Sequence, residues 1–480
     1  MFLCWCLSLV ALIPLTTSIN PGVKVKLTAK GIEYGRKLAV ASILQKLKTI
    51  KLDDMSGKVR VSRIGKVRYS LRNMKMVEVG LPTAALDLVP GTGPKLSIVN
   101  ANFRLNGNWR VKYLFIKDSG SFKLNGDDIS FSTSLSIKSD PTGRPAVRSI
   151  DCGANVGKMS VRFRGGASWL YNLFKKIKLV VRYEKAMQNK ICPLVANAVS
   201  DLNNNLKTLN VLAKVDKFAE IEYSMVASPA VSKTSIDLSL KGEFYNTGKH
   251  QEPPFSPAVF SLPPQINNML YIGVSSFTIE SAAFVYNTAG ALRLSITDDM
   301  IPTISPIRLN TRTFGAFHPA AIYLLFQIDQ RFPGLMMKLV VKMAKAPVIT
   351  FEPNKATVQS FASVTAYAIQ PNATLTPLFV LNLVSSVSAR VSVSGMRLAG
   401  AVTLNKMDLT LGTSDVGDFQ VSTISNIIRA VLNFVVIPIM NVRLAKGYPL
   451  PTLGKMKLVN TRLLVLKDHL MIGTDVQFTG

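Results

Sequence analysis

Histidine is almost missing from this chain: His250, His318 and His469 are the only three in 480 residues. They lie far apart, with no HExxH pair and no cysteine cluster at metal-ligand spacing. His318 stands before Pro319 at an expected helix start, a structural position. No GxSxG elbow and no phosphate-cradling P-loop occurs. These absences remove the common catalytic signatures. The chain reads as a binding protein and not an enzyme, with no metal and no organic cofactor.

Cysteine is scarce too. Of the four, Cys4 and Cys6 fall in "MFLCWCLSLVALIPLTTS", the first 18 residues. That stretch has no charged side chain and ends on small residues, Thr16 and Ser18, as a secretory signal does at its cleavage site. The rest of the chain keeps Cys152 and Cys192. In an oxidising compartment a lone pair most simply forms one disulfide, two buried thiols being the other option. Such a bridge stabilises by about 2–4 kcal/mol. No other segment reads as a membrane-spanning helix. Residues 356–389 lack charge, but Pro371, Asn372, Pro377 and many hydroxyls interrupt them. The expectation is a soluble, secreted protein, storage in granules being one route to release. Asn372, Ala373 and Thr374 form an N-glycosylation sequon.

Carboxylates are the third shortage, 28 against 57 lysines and arginines, for a net charge of +29. The excess is uneven. Residues 1–250 hold 39 basic and 17 acidic side chains, a net of +22, whereas residues 251–480 hold 18 and 11, a net of +7. A half with that field attracts anions: nucleic acid, anionic polysaccharide or anionic lipid.

Apolar residues make up 48% of the chain, enough for a folded protein of two to four domains. Ile32, Val40, Ile43, Leu44 and Leu47 recur at helical spacing. Residues 57–79 then alternate apolar with basic side chains ("KVRV", "KVRYSLR"), the period of a half-buried strand, and strand-like runs continue to about 164. A long amphipathic helix is predicted over 167–208, kinked at Pro193 beside Cys192. Residues 248–266 hold five prolines and read as a stiff linker. The second half repeats this grammar. Strands run to about 312, a helix lies near 315–346, strands follow to 421, a helix lies near 422–446, and a last strand closes the chain. No clean sequence repeat accompanies it. The expected organisation is a signal over 1–18, a basic N-terminal lobe over 19–247, the linker over 248–266 and a C-terminal lobe over 267–480.

Within the basic half, "NFRLNGNWRVKYLFIK" (Asn102–Lys117) interleaves cations with aromatics. Asn106–Gly107 predicts a two-residue hairpin turn. That turn sets Arg104 opposite Trp109 and Phe103 opposite Arg110, so cations and apolar groups share faces near a tip. A ligand with phosphates beside acyl chains suits such a mixture. A local Arg104–Trp109 cation–π pair is its other use.

Several separated blocks, in order, resemble one family. They are "INPGVKVKLTAKGIEYG", "LQKLKTIKLDDMSG", "NANFRLNGNWRVKYLFIKDSG", "VDKFAEIEYSMVASPA", "LKGEFYN", "LRLSITDDMIP" and "KGYPLPT". The chain is similar over nearly its whole length to the family of bactericidal/permeability-increasing protein and lipopolysaccharide-binding protein. The resemblance implies an α+β fold. It is a boomerang of two barrels, each a highly twisted antiparallel sheet wrapped around long helices, joined by a central sheet and a proline-rich linker. It implies one disulfide at the spacing of Cys152 and Cys192, and a bound phospholipid in an apolar pocket of each barrel. It also implies that the basic N-terminal tip engages lipid A of lipopolysaccharide on the Gram-negative outer membrane. Matched to this sequence, the tip residues are Lys48, Lys51, Arg104, Trp109, Arg110, Lys112 and Lys117, with Lys46, Lys58 and Arg60 adding to the field. Asn106 and Asn108 are neutral where relatives are often more basic. The implied function is a secreted, monomeric innate-immunity protein that permeabilises bacteria and does not bind nucleic acid. The alternative is a carrier that presents lipopolysaccharide to a host receptor or transfers phospholipid.

Overall fold

The computed structural model describes residues 20–479 except 50–51, 62–64, 167–178, 265–266, 304, 306, 313–327, 329, 418 and 451–455. The expected signal segment, Lys51 and His318 therefore lie outside the described residues.

The chain opens with β1 (Val23–Thr28) and α1 (Ala29–Lys48), which Thr28 caps by accepting a hydrogen bond from the Gly31 N–H. Then come β2 (Met55–Val61), β3 (Gly65–Gly80), β4 (Thr83–Val89), β5 (Gly93–Tyr113), β6 (Ile116–Ser139), β7 (Pro145–Asn155), β8 (Lys158–Arg164) and α2 (Leu179–Lys207). Short strands follow: β9 (Leu212–Lys214), β10 (Ala219–Glu222), β11 (Ala230–Val231), β12 (Ser235–Leu240) and β13 (Glu243–Asn246). The second half holds β14 (Leu270–Ser275), α3 (Ser276–Thr288), β15 (Arg293–Ile296), β16 (Met337–Glu352), β17 (Lys355–Ile369), β18 (Leu375–Ser394) and β19 (Arg397–Ser414). After these, α4 (Ser422–Val431) and α5 (Ile437–Ala445) run on through a π-turn at Leu432–Val436, ahead of β20 (Tyr448–Pro449), β21 (Met456–Leu466) and β22 (His469–Phe478).

The architecture is α+β, as the resemblance implied. An antiparallel sheet ordered β2-β3-β5-β6-β7 forms the N-terminal lobe, and one ordered β15-β16-β17-β18-β19-β20 forms the C-terminal lobe. Between them β11-β12-β1-β14-β22-β21 makes one central sheet, with β1 beside β14, so strands of both halves share a single ladder. Each lobe has its own core, and a third cluster joins Val23 and Leu240 to Ile272, Phe351 and Leu470 at the junction.

Two expectations from periodicity fail. The predicted helix near 315–346 cannot reach its far end, because Met337 onward is strand β16, whose Met337 and Leu339 are fully buried. A run of apolar residues alone does not separate a buried strand from a helix. The helix α3 was not foreseen, since Ser, Thr and β-branched residues mask its pattern.

The helices dock on sheet edges by one repeated device. In the N-terminal lobe, Asn203 of α2 accepts from the Val147 N–H at 2.8 Å and donates to its carbonyl at 2.6 Å. In the C-terminal lobe, Asn441 of α5 does the same to Val402 of β19, at 2.7 and 3.1 Å. The Cys152–Cys192 disulfide adds a second clamp between β7 and α2. From Cys192 to Asn203 a helix rises about 16 Å, and from Val147 to Cys152 a strand advances about 16 Å, so both clamps fit one line of contact.

The proline-rich segment straps the central sheet and is not a free spacer. The Asn20 amide donates to the Pro257 carbonyl at 3.0 Å, and the Lys24 ammonium donates to the Phe260 carbonyl at 2.5 Å. The Phe260 ring lies 5.0 Å from the His469 ring. His469 is buried, its Nε2 has no hydrogen-bond partner among the described residues, and burial holds its pKa below 6.5.

Two predictions follow from these contacts. Asn203→Ala and Asn441→Ala each strand backbone groups on an edge strand, and each costs about 1–3 kcal/mol in urea unfolding. Unchanged midpoints in both would mean that the helices are held elsewhere. For His469 the neutral ring suits the fold, so its contribution is intact above the ordinary pKa and is lost as the pH falls through the lower folded value. Protease cleavage within 250–264 therefore rises on acidification from about pH 7.5 to 5, and His469→Phe flattens that response.

Candidate lipid and anion binding surface

The register of β5 against β6 governs this surface. Three cross-strand pairs set an aromatic opposite a glycine: Phe103 with Gly126, Gly107 with Phe122, and Trp109 with Gly120. A Cβ on Gly107 would lie 2.6 Å from the Phe122 ring, and one on Gly126 would lie 2.4 Å from the Phe103 ring. The glycines are there to admit rings. From Ala101 to Val111 the odd-numbered β5 residues therefore face the core, and Phe103, Leu105, Trp109 and Val111 are all at least 96% buried.

This overturns the expected turn at Asn106–Gly107. Both residues lie inside β5, paired with Lys123 and Phe122 of β6. The real turn is Leu114–Phe115, between the pair Tyr113–Ile116, with Leu114 at φ +50°. Cations and aromatics thus occupy opposite faces of β5. Trp109 is corrected from a tip contact to a core residue: its indole N–H donates to the Arg164 carbonyl at 3.3 Å, and its ring meets Phe163 edge-on. Arg104, on the outer face, sits 3.1 Å from the Glu78 carboxylate, an exposed pair of small energetic weight.

Arg110, Lys112 and Lys117 do come together, in company that the sequence reading mostly missed. Strand pairing lines up Lys58, Arg68, Lys112 and Lys117 in one row across β2, β3, β5 and β6. At the strand spacing that row is about 14 Å long. The next row is Ser56, Ser70, Arg110 and Ser119. Then come Arg72, Asn108, Ser121 and Arg164, and after them Lys75, Asn106, Lys123 and Arg162. These four rows hold ten cations and no carboxylate, and Arg60 and Lys66 extend them beyond the first. The nearest acids are Asp54, which ends the approach to β2 and accepts from the Asn73 N–H at 3.2 Å next to the third row, and Glu78, one row further back beside Arg104. Lys48 ends α1 on the helix side of the lobe, and Lys46 there pairs with Asp201 of α2 at 3.2 Å.

Beyond the first row the hairpin ends in apolar side chains. Leu114 is 66% exposed, Phe115 88% and Ile116 46%. Large apolar groups left bare at a tip mark an interaction surface. Behind the sheet, α1 buries only Gly31 and Ile32 fully, and Leu38, Leu194 and Leu202 of the two helices stay exposed. The C-terminal lobe holds an apolar cleft of about 210 Å³ lined by Ile279, Ala283, Ile349, Val358, Met440 and Leu444. Tyr286, Tyr448 and Arg390 are its polar groups. Among the described residues no group of His, Cys, Asp or Glu could hold a metal ion.

An apolar cleft in the C-terminal lobe, exposed leucines on the N-terminal helices and a cationic face ending in bare apolar groups define a class: proteins that bind amphiphilic anions. The chain belongs to the LBP / BPI / CETP family, whose N-terminal domain matches residues 31–208 and whose C-terminal domain matches residues 213–478. It is 72% identical to a bactericidal permeability-increasing protein of Sebastes schlegelii, over the full length of both. It is 31% identical to the human lipopolysaccharide-binding protein, covering 97% of this chain and 95% of that one. A crystal structure of lipopolysaccharide binding protein superposes with a TM-score of 0.67 at 30% identity, over 96% of this chain and 100% of the other.

Like charges set directly opposite on a sheet destabilise it. Lys112→Glu, between Arg68 and Lys117, should therefore raise the urea midpoint at low salt, by an amount equivalent to about 0.2–1 kcal/mol of unfolding free energy per relieved pair. The gain should fade at high salt. A lower midpoint at low salt would show that the row is not strained by repulsion.

Proposed function

We propose that this protein is secreted and binds lipopolysaccharide of Gram-negative bacteria through lipid A, using the outer face and tip of the N-terminal sheet, and that it permeabilises the outer membrane. The observation that carries the reading is the adjacency of the four-cation row to the bare Leu114–Phe115–Ile116 tip. Lipid A presents phosphates beside acyl chains, and the surface presents cations beside apolar groups in the same order.

Attachment comes first. The cationic face is drawn to the anionic leaflet and displaces divalent cations that bridge its phosphates. Lys58, Arg68, Lys112 and Lys117 then make charge-assisted hydrogen bonds to phosphate oxygens, which the missing carboxylates leave uncontested. Insertion follows, as the tip enters the acyl region and disorders the leaflet. The apolar side chains that α1 and α2 leave exposed and the cleft in the C-terminal lobe each take a phospholipid chain. Asn372, exposed at the β17–β18 turn, carries the glycan.

Vesicles containing lipopolysaccharide separate the two stages. Leu114→Ser with Phe115→Ser should leave salt-sensitive attachment in place and abolish leakage. Losing the burial of Phe115 alone, about 1.5–3 kcal/mol, weakens insertion by roughly ten- to a hundredfold. Neutralising Arg110, Lys112 and Lys117 together should remove attachment itself. Attachment that ignores both salt and these substitutions overturns the proposal. Extraction of single lipid molecules without leakage would instead mark a carrier.

A further inference from the structure

We propose a second site, independent of the lipopolysaccharide reading: a pocket on the outer face of the central sheet that binds a sugar bearing a carboxylate or phosphate group.

The pocket exists because a side chain is missing. Strands β14, β22 and β21 are neighbours, and their register puts Tyr271, Gly473 and Arg462 in one row. Gly473 lets the Tyr271 ring and the Asn268 amide close down on the strand beside the guanidinium, since a Cβ there would lie 2.8 Å from Tyr271 Cε1 and 3.0 Å from Asn268 Oδ1. The cavity that results has a volume of about 420 Å³. That falls in the range of small-molecule sites, about 300–1,000 Å³. A β-bulge shapes the far rim. The β21–β22 pairing shifts between Val459 and Arg462, and Asn460 adopts φ +54°. Thr474, fully buried, fixes the bulge by donating to the Val459 carbonyl at 2.9 Å, with Thr461 Oγ1 also 2.9 Å away. Bulges of this kind re-aim side chains beside binding sites.

The lining suits one chemistry. Arg462 is exposed and has no ion pair among the described residues, which leaves its fork open to a carboxylate or phosphate. The Tyr271 hydroxyl accepts from the Asn268 N–H at 3.1 Å and donates to Asn268 Oδ1 at 3.4 Å. This turns the Asn268 amide so that Nδ2, unpartnered among the described residues, is the group offered to a ligand. Asn460 Nδ2 donates to Asp475 at 3.4 Å, which leaves Oδ1 to accept. An amide donor and an amide acceptor match sugar hydroxyls, while Leu464 and Met471 give an apolar wall for the C–H face of the ring. Asp475, the carboxylate at this rim, does not repel an anion. It is taken up by the Lys30 ammonium at 3.0 Å and the Met269 N–H at 2.9 Å.

Saturation-transfer NMR and calorimetry on the full protein test the site with glucose 6-phosphate, galacturonate, methyl glucoside and inorganic phosphate. The two acidic sugars should bind more tightly than either methyl glucoside or inorganic phosphate. Arg462→Gln should weaken both acidic sugars by about tenfold or more and leave methyl glucoside unchanged. Gly473→Ala should abolish sugar binding by pushing Tyr271 and Asn268 out of place. Asn460→Ala, on the exposed bulge, gives the same direction if Gly473→Ala perturbs the sheet. Lipopolysaccharide capture, measured in parallel, should stay at the wild-type level in Arg462→Gln. Three results would each overturn the proposal: unchanged acidic-sugar affinity in Arg462→Gln, inorganic phosphate binding as tightly as glucose 6-phosphate, or joint loss of sugar and lipopolysaccharide binding.

Discussion

The structure of the N-terminal lobe depends on a packing constraint between two strands. Each aromatic of the inner β5–β6 face that meets a glycine, at Phe103–Gly126, Gly107–Phe122 and Trp109–Gly120, can be accommodated in one register only. A slip of one residue would drive rings into backbone and turn the whole cationic set inward. Ring packing in the core thereby decides where charge appears outside. Rows of lysine and arginine across four strands are a by-product of that alignment, because the even-numbered β5 residues from Arg104 to Lys112 must face solvent.

That outcome sets stability against binding. A large apolar core supports a face on which cations oppose cations, and none of the residues paired in those four rows is a carboxylate, Asp54 standing at their edge. A sheet shaped only for stability would interleave signs, as happens one row further back at Glu78 and Arg104. Ligand phosphates would complete the face in the way those acids do elsewhere. The bare tip sits where the core ends, so the apolar groups and the cations are fixed relative to each other by the strands themselves.

Much of this was legible in the sequence, though not by the most familiar signal. The separated blocks gave the fold and the paired lobes, and the alternation in "KVRYSLR" already placed Arg68 and Arg72 on one face. Asn106–Gly107 misled, because a glycine after asparagine can serve a turn or make room for a ring, and only the partner strand tells which. Summing residue numbers across β5 and β6 would have exposed the aromatic–glycine matches and moved the turn to Leu114–Phe115. Arg162 and Arg164 were out of reach, since β8 joins this face only through long-range pairing with β6. The pocket at Gly473 was equally hidden. Its walls come from strands more than 180 residues apart, and a glycine gives no sequence sign of what it leaves open.

The asparagine bridges of α2 and α5 have a further consequence. Val147 pairs with Ile137 and Val402 with Ala389, and on the opposite side of each no second strand pairs with it among the described residues. By taking both the N–H and the carbonyl, Asn203 and Asn441 act as a single counterfeit residue of the next strand. The ladder is finished there, and a stray peptide finds no free backbone groups to extend it. A molecule built almost wholly from long open sheets thus guards two of its borders against polymerisation with one amide side chain each.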